Sequence, residues 1–180
     1  MKTYGDKIRI DDGLYAEIRA YLADNFIPVQ MQIQMGAPGA DYYAESSPLP
    51  FEHIPKAESS LEYRVSTLDE SFTEMLMRKI AEEGITDSEC YRMANIDRKH
   101  FSKIRNDPSY SPKKTTAFAF AIALRLSLEE TKELLGKAGY AVSHSSKLDV
   151  IVEYFIVRNN YNIFEINDAL FSFDQPLLGV

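Results

Sequence analysis

The chain has 180 residues, 45% of them apolar and 26% charged, proportions that fit one globular domain, or one domain with a tail. Its net charge is −7 and it holds one cysteine, Cys90, which excludes an internal disulfide framework and fits a reducing, cytoplasmic setting. The most apolar stretch, Leu148 to Val157, is about half the length a bilayer requires, and Asp149 and Glu153 interrupt it, so it reads as a buried helix and not a membrane span.

The opening residues, MKTYGDKIRIDDGLY, place no uninterrupted apolar stretch behind their basic residues, so no secretory leader is expected. Residues 1–66 read as a mostly irregular tail. Within it, Leu14, Ile18, Tyr21 and Leu22 stand at helical spacing and predict one short helix over about 13–25. The following segment carries Pro28, Pro38, Pro48, Pro50 and Pro55 with Gly36 and Gly39, which is the punctuation of a linker. Inside it VQMQIQM, Val29 to Met35, alternates apolar and polar residues strictly. That pattern suits either a sticky linker or a strand added to the sheet edge of a protein partner.

Residues 67–180 predict an all-α domain, because helix start signals recur and no strand pattern competes. Thr67 with Glu70 forms a capping box for a helix from Leu68, whose stripe Leu68, Phe72, Leu76 and Ile80 ends at Gly84. Thr86 with Glu89 opens a second, short helix that runs to about Asn95, with Cys90 as a packing residue. Asp97 caps a third, and Ile96 stands where it could staple onto Phe101. Ser111 followed by Pro112 opens a fourth. Ser127 with Glu130 opens a fifth, closed near Gly136 or Gly139, on which Glu129, Glu130 and Glu133 form a solvated face. Ser146 with Asp149 and Asn162 with Glu165 open two more, a C-terminal pair over about 146–174.

Charge is divided unevenly along these helices. Between Asp97 and Lys114 stand Arg98, Lys99, Lys103, Arg105, Lys113 and Lys114 against two carboxylates, so this stretch carries +4 and leaves −11 on the rest. On the third helix Phe101 and Ile104 share one face, which has to be the buried one. Arg98, Lys99, Ser102 and Arg105 then lie on the side away from Phe101, with Lys103 beside them. A short helix, a turn and a cationic helix over 97–106 form a helix-turn-helix, whose last helix fits the major groove of duplex DNA. Lys113 and Lys114, in the first turn of the fourth helix, stand beside free amides that suit phosphate.

The segment from Phe72 to Thr131 resembles the lambda-repressor-like, XRE-type helix-turn-helix domain. TDSECYRMANI matches its scaffold helix, DRKHFSKIRN its recognition helix, and AFAFAIALRLSLEET its closing helix pair. The resemblance covers about a third of the chain and implies a core of about five helices over 68–139 that binds double-stranded DNA. Two features depart from the pattern: the loop NDPSYSP replaces a short glycine-containing turn, and the helices after Ser146 lie outside that fold. Leu68 to Gly179 also resembles an uncharacterised bacterial all-helical family ending in NIFEINDALFSFDQPLLG, which implies a portable module.

No catalytic constellation competes. His53, His100 and His144 are far apart in sequence and none has metal-ligand spacing, the serines beside His144 read as caps, and no glycine-rich phosphate loop follows a strand. No enzyme, cofactor or metal is expected. The helix at Leu148–Val157 is apolar nearly all round, which leaves open a central helix wrapped by its neighbours or a homodimer interface built from the C-terminal helices. Two functions stand side by side: a cytoplasmic DNA-binding regulator, and an adaptor whose basic patch and N-terminal tail dock protein partners.

Overall fold

The computed structural model describes residues 10–28 and 69–179. The chain divides into two units, residues 1–28 with 71–180 and residues 29–70, and the second lies almost wholly outside the described residues. The expected linker and the alternating stretch Val29–Met35 fall there.

The described residues form eight helices and no strand, an all-α fold. They are α1 (Asp12–Asn25), α2 (Phe72–Glu82), α3 (Asp87–Met93), α4 (Arg98–Asn106), α5 (Lys114–Ala123), α6 (Leu128–Lys137), α7 (Lys147–Val157) and α8 (Ile163–Ser172). No helix among them is long and apolar enough to cross a membrane.

Local capping explains most of these boundaries. Thr86 with Glu89 and Ser127 with Glu130 form reciprocal capping boxes, each hydroxyl accepting from the N–H three residues on while the glutamate accepts from the cap's own N–H. Asp97, Ser146 and Asn162 cap α4, α7 and α8 through their side chains. Two starts differ from expectation. The box that opens α2 is Ser71 with Glu74, four residues beyond Thr67, so the helix begins at Phe72. α5 begins at Lys114 with Lys113 as its uncapped N-cap, because Ser111 turns its hydroxyl to the Ala138 carbonyl (3.2 Å) and Pro112 is buried. At the C-terminal end of α6, Gly136 stays inside the helix and Gly139 (φ 82°) provides the left-handed turn.

Two helices form the centre. α5 is buried from Thr116 to Ala123 and packs against α3, α6 and α8. Phe120 at its middle meets Phe72 and Phe101 at ring distances of 6.4 and 6.0 Å. α7 buries nearly its whole circumference against α1, α6 and α8. Its apolar surplus is therefore covered within the chain.

α1, expected in the tail, belongs to this packed body. Ile18 is fully buried, Tyr15 stacks on Phe173 with ring centroids 4.7 Å apart, and the Tyr154 hydroxyl donates to Glu17 at 2.8 Å. Glu130 also departs from expectation. It leaves the solvated face of α6 to accept from Lys79 of α2 at 2.7 Å, tying those two helices together.

Candidate nucleic-acid interface

Phe101 is 3% exposed and Ile104 is fully buried, so α4 does turn that edge into the core. The helix is fixed at both ends. The Asp97 carboxylate accepts from the N–H groups of Lys99 (2.8 Å) and His100 (3.0 Å). These two bonds, the one from His100 first, hold its carboxyl below the ordinary value. At the other end the Thr73 hydroxyl of α2 bonds the carbonyls of Ile104 (3.2 Å) and Asp107 (3.3 Å).

At about 100° per residue, Lys99, Ser102, Lys103 and Asn106 fall within an arc of roughly 100° centred opposite the buried edge. All four are exposed, as are Arg98 and Arg105. Asn106 was not among the expected site residues, although its position on the wheel already placed it mid-face. Its amide donates to the Ser102 hydroxyl at 3.3 Å, pairing two uncharged groups at the centre of the ridge.

The cations differ in how free they are. Among the described residues the side chains of Arg98, Lys99 and Lys113 have no ion pair or hydrogen bond, and all three are exposed. The Lys103 ammonium lies 5.0 Å from the Tyr110 ring centroid, and the Tyr110 hydroxyl meets His100 Nε2 at 3.1 Å. Tyr110 thus supports one flank of the ridge without covering it. Arg105 falls about 40° from Phe101 on the wheel, beside α3, not on the opposite side as its sequence position suggested. There it forms an ion pair with Asp87.

Lys114 departs most from expectation. Its ammonium is paired with the fully buried Asp149 of α7 and also donates to the Ala141 carbonyl at 2.8 Å, so it faces the protein interior and not an external phosphate. Lys113 alone marks the start of α5, beside an open hollow lined by Lys114, Thr115, Pro176 and Leu177.

The turn between α3 and α4 carries Asn95 at φ 54°, a left-handed position that asparagine tolerates better than most residues. Ile96 N–H donates to the Tyr91 carbonyl at 2.8 Å and closes the turn. Cys90 of α3 is buried and its thiol is pushed up to about 12 by that burial, which makes it a packing group. Among the described residues no cluster of three or more His, Cys, Asp or Glu could hold a metal ion.

Comparison of the chain with protein-family models, curated proteins and solved structures finds no match. The arrangement itself offers a helix with exposed, unpaired cations at its start and hydrogen-bonding groups at its centre. Such a surface suits an extended anion.

Proposed function

We propose that α3, its turn and α4 form a helix-turn-helix of the lambda-repressor-like kind, and that the protein is a non-enzymatic, cytoplasmic DNA-binding regulator reading the major groove with α4. The observation that carries this reading is the outward set Lys99, Ser102, Lys103 and Asn106 on a helix whose opposite edge is fully buried. Lys and Asn are the side-chain types that satisfy guanine and adenine edges in the major groove. Arg98 at the helix start and Lys113 across the loop supply phosphate contacts, while Arg105 and Lys114 are already paired within the protein.

Fluorescence anisotropy on a random duplex at low salt tests the proposal. Wild type is expected to bind, and the triple change Arg98→Ala, Lys99→Ala, Lys103→Ala to lose at least about tenfold in affinity, since each phosphate or base contact is worth roughly 1 kcal/mol or more. Absence of binding, or binding indifferent to the triple change, overturns it.

A pairing of two copies would present two such helices to two half-sites. Phe164 and Phe171 favour it: they lie seven residues apart on one face of α8 and are 69% and 53% exposed. Sedimentation that returns a monomer at concentrations well above those used for binding would remove this second copy.

The alternative, an adaptor whose basic face docks an acidic protein, predicts partners that survive nuclease treatment of a lysate. Partners lost with the nucleic acid would favour the DNA reading.

A further inference from the structure

The chain does not trail away after α8. Asp174 takes a left-handed φ of 54°, and the Gln175 N–H donates to the Leu170 carbonyl at 2.8 Å, which turns the backbone onto the helical body. Leu178 is fully buried there. Asn167 of α8 clamps it at both backbone groups, its amide donating to the Leu178 carbonyl (3.1 Å) and its Oδ1 accepting from the Leu178 N–H (2.8 Å).

Gly179 follows at φ 70°, directly against the turn between α3 and α4. A Cβ added there would overlap the Ala94 carbonyl oxygen and come within 2.9 Å of that of Asn95. Only glycine permits this approach. Just before it, Pro176 and Leu177 share the hollow with Lys113, Lys114 and Thr115 at the start of α5. The segment 176–179 therefore lies against the turn leading into α4 and shares a hollow with the helix start that follows its loop.

We infer that residues 176–179 are a strap that positions α4, with Asn167 as its anchor and Gly179 as its point of contact. The inference deepens the DNA reading and rests on it for its purpose. α4 has nine residues, too few to be stable alone, so its aim depends on its packed edge and on what braces its ends. A groove-reading helix needs that aim held to within roughly 0.5 Å, which makes a brace on the turn a condition of recognition. Because Asn167 sits on α8, whose outer face carries Phe164 and Phe171, the strap also connects that face with the basic ridge.

The experiment measures amide hydrogen exchange and duplex binding on the full chain carrying Asn167→Ala or, separately, Gly179→Ala. The first removes the clamp and the second forces the strap off the turn. In both, exchange at Asn95 and Ile96 is expected to quicken about tenfold while the amides within α7 stay unchanged, the mark of a local opening and not of general loss of stability. Duplex affinity is expected to fall about fivefold, as a less well-aimed helix loses part of its contact energy. Unchanged exchange at Asn95 and Ile96 in both variants, or an equal rise throughout α7 and α8, overturns the strap. If the wild type binds no duplex while the two variants show the expected exchange pattern, the strap stands and only the DNA reading is overturned.

Discussion

A carboxylate with no exposed surface has to be held by hydrogen bonds and a counter-charge, and Asp149 at the start of α7 has both. It accepts from the Ser143 N–H at 2.8 Å and the Ser146 hydroxyl at 3.0 Å, and it pairs with Lys114. Removing the lysine leaves the charge buried and uncompensated, so Lys114→Ala is expected to cost about 3–5 kcal/mol in urea unfolding. A loss below about 1 kcal/mol would contradict the pairing, because exposed ion pairs cost no more than that. The cap at Ser146 was legible in the sequence, being a contact over three residues. The partner of Asp149 stands 35 residues away, and only folding reveals that this lysine was not available to a ligand. Cys90 gives a second check. With its thiol at about 12, it should react with a thiol reagent at pH 8 only as fast as the native protein opens, and quickly once unfolded. Immediate labelling of the native chain would place Cys90 at the surface.

At the scale of the element, the capping boxes were read correctly where they stood alone, whereas the lone Ser111–Pro112 signal was not. The boxes at Thr86 and Ser127 behave as their spacing demanded. At α2 two such patterns follow each other four residues apart, and spacing gave no reason to prefer Ser71 over Thr67. α1 was legible as a helix through Leu14, Ile18, Tyr21 and Leu22, but its docking was not, since Glu17 meets a tyrosine 137 residues away. Glu130 combines a local role with a distant one. Its hydrogen bond from Lys79, then those from Ser127, hold its carboxyl down to about 2, while the same bond raises Lys79. A depressed carboxyl stabilises the fold above its ordinary value of 4.5 and loses that contribution as the pH falls towards 2. Lys79 acts at the other end: its contribution is present below its ordinary value and lost only when the pH rises past its raised one. Glu130 is 40% exposed, so solvent screening limits the bond between α2 and α6 to about 1 kcal/mol. Glu130→Gln is therefore expected to melt a few degrees below wild type at pH 7 and together with it near pH 2. A gap of equal size at both pH values would assign the effect to packing instead of charge.

Over the whole molecule, the proposed binding of a duplex by the basic ridge would have to work against the acidic chain's own field. The net charge of −7 repels a duplex at long range, and only cations that reach the phosphates release counterions. Six cations between Asp97 and Lys114 suggested six contacts. Folding pairs Lys114 with Asp149 and Arg105 with Asp87, which leaves Arg98, Lys99, Lys103 and Lys113. On a random duplex, where Lys99 and Lys103 can turn from base edges to phosphates, four contacts correspond to a slope of about −3.6 in log affinity against log salt, and six would give about −5.4. Titration of duplex binding between low and moderate salt separates the two. Asp87→Asn sharpens the test, because it releases an exposed Arg105 without touching the ridge itself. Its slope is expected to steepen by up to about 0.9 and its affinity to rise, the reverse of what most substitutions do. If binding weakens instead, the Asp87–Arg105 pair serves to orient α4 against α3, and the arginine is a brace for the ridge, not a contact held in reserve.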